Sequence, residues 1–193
     1  LAWRYRGENY VFRPVNRLDK GTSGLMAVAR HAHAQQVLQN MLHTDAYVRE
    51  YLALALGRVE PESGTIDAPI GKADGATVRR EVRADGKRAV THYETVARGE
   101  NYTLLRVRLE TGRTHQIRVH LQFIGHPIAG DFLYGEEDAR LPGRFALHSA
   151  RLVLTHPVTG ERMAFESDAP CVFYDMLAAG SACFHFARPD SNV

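Results

Sequence analysis

Cysteine, lysine and long apolar runs are scarce in this sequence of 193 residues. The two cysteines, Cys171 and Cys183, match no C-x-x-C metal pattern and give no disulfide framework. No apolar run approaches the roughly 18 residues of a membrane span, and the opening residues do not resemble a signal peptide. These absences favour a cytoplasmic protein without a membrane segment. Residue 1 is Leu rather than Met, so we expect the natural start to lie upstream.

The shortage of lysine makes arginine the dominant cation. Only three of the 24 basic residues are lysines. Arginine presents a planar fork of donors to phosphate and stacks on bases, which lysine does less well, although codon bias explains the excess equally well. The net charge is only +2, but ten basic and five acidic residues lie between Arg79 and Arg118. This predicts a basic face that attracts a polyanion; a solvated strand edge is the alternative.

Hydrophobic periodicity predicts a mixed α+β protein. Helical spacing covers 31–45 and 111–127, where Thr111 or Thr114 is expected to cap the second helix and Gly125 with Pro127 to end it. We interpret 61–69 and 71–80 as loops because of their Gly, Pro and Asp residues. The predicted strands are 24–30, 46–57, 88–97, 102–110, 145–157 and 161–170. The pattern predicts a largely antiparallel sheet with flanking helices, one domain over 1–178 and a C-terminal tail over 179–193.

The ten histidines raise the question of a metal site. His115 and His120 are five positions apart on the second predicted helix, so their side chains diverge by about 140° and cannot share a ligand face. The adjacent acids of 136–138 are typical of a solvated loop rather than of a carboxylate pair flanking a glycosidic bond. We therefore predict no metal site and no glycosidase site.

Asp19 and the start of the second helix are the strongest candidates for chemistry. Asp19 precedes a run of small residues and a predicted buried strand. A carboxylate in that position needs a cation nearby to remain ionised, and Arg113 and Arg118 are candidates. A structural ion pair that pins the loop is the competing interpretation.

Four segments in register then give a resemblance to a known family. They are NRLDKGTSGL (16–25), REYLALALG (49–57), LETGRTHQIRVHLQFIGHPIAGDFLYG (109–135) and ALHSARLVLTHPVTGERMAFESDAP (146–170). Together they resemble the motifs of the RluA-type pseudouridine synthases, over most of the chain from about residue 13 to residue 170. The resemblance implies the pseudouridine synthase catalytic fold and isomerisation of a uridine in ribosomal or transfer RNA, without cofactor or metal.

The resemblance also implies roles for individual residues. Asp19 matches the catalytic aspartate, which attacks C1′, adds to C6 of the base or takes the 2′ proton; these three routes stay open. Arg118 matches the arginine that pairs with this carboxylate. Tyr51 matches the tyrosine that stacks beside the base and is a candidate for removal of the C5 proton. Ile117 would supply apolar packing, and Arg17 matches the arginine that fills the space of the flipped base.

Two further positions complete the expected substrate contacts. Arg113 is expected to support its loop or touch phosphate. Asn16 stands where the family usually has His, and it is expected to fix the loop rather than to move a proton. The family also carries an upstream strand ending in Lys-Pro, which this chain lacks, so we expect an N-terminally incomplete catalytic domain. The expected enzyme acts as a monomer on RNA; a catalytically silent RNA-binding module that retains the fold is the alternative.

Overall fold

An antiparallel sheet forms the centre of the protein, which the computed structural model describes over residues 11–179. In chain order the elements are β1 (Arg13–Pro14), β2 (Ser23–Gly24), β3 (Val28–Ala29), α1 (Ala32–Met41), β4 (Tyr47–Leu56), β5 (Ser63–Asp67), β6 (Ile70–Lys72), β7 (Arg80–Val82), β8 (Val90–Arg98), β9 (Tyr102–Leu109), α2 (Gln116–Phe123), β10 (Leu147–Thr155), β11 (Arg162–Glu166) and α3 (Cys171–Ala178).

The main sheet has the strand order β11–β10–β4–β9–β8–β5, with antiparallel pairing between all neighbours. The short strand β2 lies parallel to the start of β10. Two small hairpin sheets, β1–β3 and β6–β7, stand beside the main sheet. The predicted α+β class with a largely antiparallel sheet is confirmed.

Alternation along β9 shows why this segment forms a strand. Leu105 and Val107 are fully buried, whereas Arg106 and Arg108 between and beyond them are exposed. A period of two places alternate side chains on opposite faces of a sheet. Strands β8 and β9, which the sequence predicts at 88–97 and 102–110, pair with each other.

Two apolar clusters hold the elements together. The larger one joins the central strands to α2 and α3, with Leu54, Leu121 and Phe173 among its buried side chains. The smaller one packs α1 against β4 and β10 through Leu38, Tyr47 and similar residues. The first six residues of α2, from Gln116 to Leu121, are all buried, and this packing fixes the helix that carries Arg118.

The predicted strand over 24–30 is wrong in extent. It divides into the two-residue strands β2 and β3, which pair with different partners. Gly24, the last residue of β2, has a φ of 99°, a conformation that only glycine adopts readily. The chain therefore changes direction within the apolar run, and β3–α1–β4 is not a crossover within one sheet.

The predicted loops over 61–69 and 71–80 are also wrong in part. The first contains β5, which pairs with β8 at the sheet edge, and the second contains the ends of the β6–β7 hairpin. Glycine and proline around such short strands hide their weak periodicity. Helix α3 was not predicted. The predicted tail over 179–193 lies outside the described residues except for residue 179. The expectation that a strand upstream of the catalytic domain is lacking also concerns a region outside the described residues.

Candidate active site

An open cavity of about 420 Å³ lies between the loop that precedes β2, the middle of β4 and the start of α2. Its volume falls in the range of about 300–1,000 Å³ that is usual for small-molecule sites. The structure brings every site residue predicted from the sequence to its walls: Asn16, Arg17, Asp19, Tyr51, Arg113, Ile117 and Arg118.

A tight turn presents Asp19 to this cavity. The carbonyl of Asp19 accepts a hydrogen bond from the backbone N–H of Thr22 at 2.9 Å. The chain then enters β2, where Gly24 passes so close to Ser149 that any side chain would meet the Ser149 carbonyl. The small residues after Asp19 thus allow the loop to rest against β10, which holds the carboxylate at the cavity wall.

Arg118 supplies the positive charge opposite Asp19. Its Nη1 lies 3.5 Å from Asp19 Oδ2, while its Nε and Nη2 donate to the two carboxylate oxygens of Asp131 at 2.7 and 2.8 Å. The arginine residue is only 3% exposed. Its Cζ also lies 4.2 Å from the ring centre of Phe145 and 4.9 Å from that of Tyr134, distances at which aromatic rings attract cations.

Asp131 is the principal site residue that the sequence analysis missed. It is fully buried, and its Oδ1 also accepts hydrogen bonds from the backbone N–H groups of Leu133 and Tyr134. Burial opposes the charge of Arg118, but the hydrogen bond and charge of Asp131, with the charge of Asp19, raise the pKa of Arg118. A signal was available, because a buried arginine needs a fully paired partner and Asp131 is the first acid after α2.

Tyr51 forms the floor of the cavity from within β4. It lies between Ser149 of β10 and Val107 of β9 and is 4% exposed. Burial raises the pKa of the Tyr51 hydroxyl, although the nearby guanidinium of Arg49 works in the opposite direction. The phenol is therefore neutral over the physiological range, an apolar plate with one polar tip.

His115 and Tyr134 form a second pair that the sequence did not reveal. Tyr134 Oη accepts the backbone N–H of Arg80 at 2.9 Å and lies 2.8 Å from His115 Nδ1. The tyrosine hydroxyl can donate to Nδ1 or accept from it, according to the tautomer of His115. Burial, aided by the charges of Arg118 and Arg80, lowers the pKa of His115 although Asp19 and Asp131 act in the opposite direction.

The other predicted residues occupy the rim. Asn16 Oδ1 accepts from the hydroxyl of Tyr47 at 2.8 Å, and burial raises the pKa of Tyr47 to about 12, so this hydroxyl stays a donor. Arg113 is exposed and donates through Nε to the carbonyl of Arg88. Arg17 is exposed, while Ile117 is buried beside Arg118.

The start of α2 differs from the prediction. Neither Thr111 nor Thr114 caps the helix; the N-cap is His115, in the left-handed conformation and without a side-chain cap. The Gln116 side chain instead accepts from the Arg113 backbone N–H and the Thr111 hydroxyl. The expected end of the helix is confirmed, since Gly125 follows with φ of 85°.

Over residues 11–179, no group of three or more His, Cys, Asp or Glu side chains could hold a metal ion. None of the helices in that part of the chain is long and apolar enough to cross a membrane. The cavity offers a carboxylate, a fixed guanidinium, a buried phenol and a neutral imidazole. Such a set suits acid–base or nucleophilic chemistry on a polar planar ligand.

The fold and the site thus define an α+β protein with an aspartate–arginine–aspartate cluster at the wall of an open cleft. Comparison with known proteins identifies the family: residues 1–123 match RNA pseudouridylate synthase. The chain belongs to this family, and the resemblance to RluA-type enzymes is confirmed.

Several curated relatives are similar to this chain in sequence. The ribosomal large subunit pseudouridine synthase D of Nitrosomonas europaea is 47% identical over 165 residues, which cover 81% of this chain and 47% of the relative. The uncharacterized RNA pseudouridine synthase YjbO of Bacillus subtilis is 44% identical over 156 residues, covering 81% of this chain and 55% of the relative. The chain therefore spans about half the length of the curated relatives it matches.

Solved structures share the fold. Human RNA pseudouridylate synthase domain containing 1 is 28% identical with a TM-score of 0.73, over 88% of this chain and 72% of that chain. Human RNA pseudouridylate synthase domain containing 4 is 26% identical with a TM-score of 0.71, over 90% and 78% of the two chains.

Proposed function

We propose that the chain isomerises a uridine in RNA to pseudouridine, with Asp19 as the catalytic carboxylate. The observation that carries this proposal is the Asp19 carboxylate, held beside the buried Arg118 at the wall of a cavity, in a chain of this family. In the reaction the N1–C1′ bond breaks, a C5–C1′ bond forms, C5 loses a proton and N1 gains one. Substrate and product have the same atoms, so no co-reactant is consumed.

Asp19 and Arg118 would act together on the nucleotide. Attack on C1′, addition to C6 and removal of the 2′ proton each need an ionised carboxylate within reach of the sugar or base. Arg118 contacts Asp19 through Nη1 alone, at 3.5 Å. This single long contact balances the charge and leaves the other carboxylate oxygen available to the substrate.

Tyr51 and Ile117 would hold the base. Both line the cavity and are buried. The raised pKa of Tyr51 favours stacking over proton removal as its main role, because a neutral phenol is a weak base. Ile117, which precedes Arg118 in the chain, would offer the base an apolar contact.

Arg17 and Asn16 would serve the flipped-out state. Flipping the target base out of its stack costs the RNA a few kcal/mol. The exposed guanidinium of Arg17 can enter the space that the base vacates. Asn16, fixed by the Tyr47 hydroxyl, would hold the loop that carries both Arg17 and Asp19.

Large-subunit ribosomal RNA is the proposed substrate, because several similar relatives are named ribosomal large subunit pseudouridine synthase D. Transfer RNA is the second candidate. We propose that residues 1–178 are the catalytic domain, working as a monomer in the cytoplasm, where both RNAs occur.

Release of tritium from C5 of uridine tests the activity directly. RNA transcripts labelled at C5 are incubated with the chain, and tritium in water is counted; transcripts labelled at C6 are the matched control, because the C6 hydrogen is retained. We expect release from C5-labelled ribosomal RNA only. RNA binding without any release from ribosomal or transfer RNA would instead support the silent RNA-binding module.

A further inference from the structure

Most arginines on the exposed surface of the main sheet and its hairpin loops are paired with carboxylates. Arg88 contacts Glu110, Arg106 contacts Glu94, and Arg108 contacts Glu50. The same holds for Arg58, Arg83, Arg98, Arg140 and Arg151. These pairs neutralise much of the basic face predicted over Arg79–Arg118, so the strands themselves offer a polyanion little unbalanced charge.

The arginines at the cavity rim are different. Within residues 11–179, Arg17, Arg49 and Arg113 form no ion pair with a carboxylate, although all three line the cavity. Arg113 donates to the carbonyl of Arg88, and the guanidinium of Arg49 lies near the Tyr51 hydroxyl and opposes the rise of its pKa. Three cations without a carboxylate partner among the described residues thus lie where the proposed substrate enters.

His43 brings two of these arginines to one point. It is one of two non-glycine residues in the described chain with positive φ, at 68°; the other is His115, on the same cavity. Such backbone strain persists where the surroundings fix it, often at functional sites. The His43 ring rests on Gly112 so closely that a side chain there would strike it, and Arg49 Nη2 borders the same space.

The His43 ring is neutral but lies in a positive environment. Burial and the charges of Arg49 and Arg113 lower the pKa of His43, and a hydrogen bond with the Glu110 carbonyl opposes this. The cluster therefore has two permanent cations and one imidazole around a glycine, with no carboxylate of the described residues paired to it. An anion would supply the missing charge.

We propose that His43, Arg49 and Arg113 form a phosphate subsite, which binds a phosphodiester next to the target uridine. This rests on the proposed function, since it takes the ligand to be RNA. The planar forks of the two arginines suit phosphate oxygens, and the absence of a side chain at Gly112 lets the His43 ring lie beside Arg49. The subsite would fix the register of the strand, while Asp19 and Tyr51 act on the nucleotide itself.

The salt dependence of RNA binding tests the subsite. Fluorescence anisotropy of a short single-stranded RNA with one uridine is measured over a range of salt concentrations for the parent chain, Arg49→Gln, Arg113→Gln and the control Arg106→Gln. Each rim variant should weaken binding and lower the slope of log K against log salt by up to about 0.7, the value for one phosphate on a single strand. The control changes an exposed arginine already paired with Glu94, so its slope should equal that of the parent.

A second RNA locates the phosphate. Replacing the linkage on the 5′ or the 3′ side of the uridine by a neutral methylphosphonate should abolish the difference between parent and Arg113→Gln for one of the two RNAs. The proposal is overturned if rim and control variants have equal slopes, if neither neutral linkage changes the Arg113→Gln effect, or if the parent binds no RNA.

The proposed function and the subsite can fail separately. Binding is measured without turnover, so a chain that releases no tritium but shows the slope difference keeps the subsite and loses the isomerase activity. A chain that releases tritium with unchanged slopes keeps the activity and loses the subsite.

Discussion

The guanidinium of Arg118 contacts two carboxylates, closely that of Asp131 and at a longer distance that of Asp19. Two nitrogens are held by Asp131, and the third contacts Asp19. The bidentate pair with Asp131 fixes the orientation of the planar group, and the aromatic rings of Phe145 and Tyr134 restrict it further. Asp131 therefore positions the cation that faces the proposed catalytic carboxylate.

Replacement of Asp131 by Asn should destabilise the protein by about 3–5 kcal/mol, because it leaves a buried guanidinium without its main counter-charge. The matched control is Asp138→Asn, which removes the partner of the half-exposed Arg140 and should cost about 1 kcal/mol or less. Urea unfolding measures both. If both variants lost the same free energy of unfolding, the ion pair of Asp131 with Arg118 would stabilise the protein no more than an exposed ion pair does.

At the scale of elements, the start of α2 determines the shape of the cavity. Gln116 is buried, and its amide accepts from Thr111 and Arg113 while donating to Val90 and Thr91 of β8. One side chain thus joins the loop over 111–115 to the sheet. That loop carries Arg113 and His115 into the cavity, so its conformation depends on Gln116 rather than on a threonine cap.

Gln116→Ala should therefore lower the free energy of unfolding by about 2–4 kcal/mol, since several buried polar groups lose their partners. Gln122→Ala on the exposed side of the same helix is the control, and it should change stability by no more than about 0.5 kcal/mol. Chemical denaturation compares the two. A loss at Gln116 no larger than at Gln122 would contradict the proposed role of this side chain.

Short elements also show where sequence reasoning stopped. The strict alternation of Leu105, Arg106 and Val107 predicted β9, and the spacing of Ile117 and Leu121 predicted α2. Strands β5 to β7 were missed because only three to five residues each carry the pattern, between glycines and prolines. Their pairing is fixed by neighbouring strands, which local sequence does not encode.

Some residues of the candidate site could be predicted from the sequence and others could not. Local motifs predicted Asp19, Tyr51 and Arg118, and the structure brings them to one cavity. Asp131, Tyr134 and His43 were missed because their roles depend on long-range contacts: with α2, with the backbone of Arg80, and with Gly112. The sequence offers a signal only for Asp131, which is the first acid after α2, and no local signal for the contacts of Tyr134 and His43.

At the scale of the whole molecule, partly or fully buried neutral histidines link stability to pH. Burial is the main cause that lowers the pKa of His115, His120 and His148 below the ordinary value of 6.5. His120 is fully buried, with both ring nitrogens hydrogen-bonded to Thr91 and Ala68. The folded chain thus resists protonation that the unfolded chain accepts.

The free energy of unfolding should therefore fall as pH decreases from about 7 through 6.5 towards the lowered pKa values of the folded state, because the unfolded state binds more protons there. It should be nearly constant between about pH 7 and 8. Urea midpoints across this range measure the effect. A midpoint that is constant or rises between pH 7 and 5.5 would contradict the neutral state of these histidines.

The most direct test of the account is the Asp19→Asn variant in the tritium-release assay. Asparagine keeps the shape of the side chain but cannot act as a carboxylate nucleophile or base. The account predicts no release from C5-labelled uridine in ribosomal RNA, with RNA affinity and urea midpoint close to those of the active parent. Release at the parent's rate by Asp19→Asn would contradict the assignment of Asp19 as the group that acts on the nucleotide.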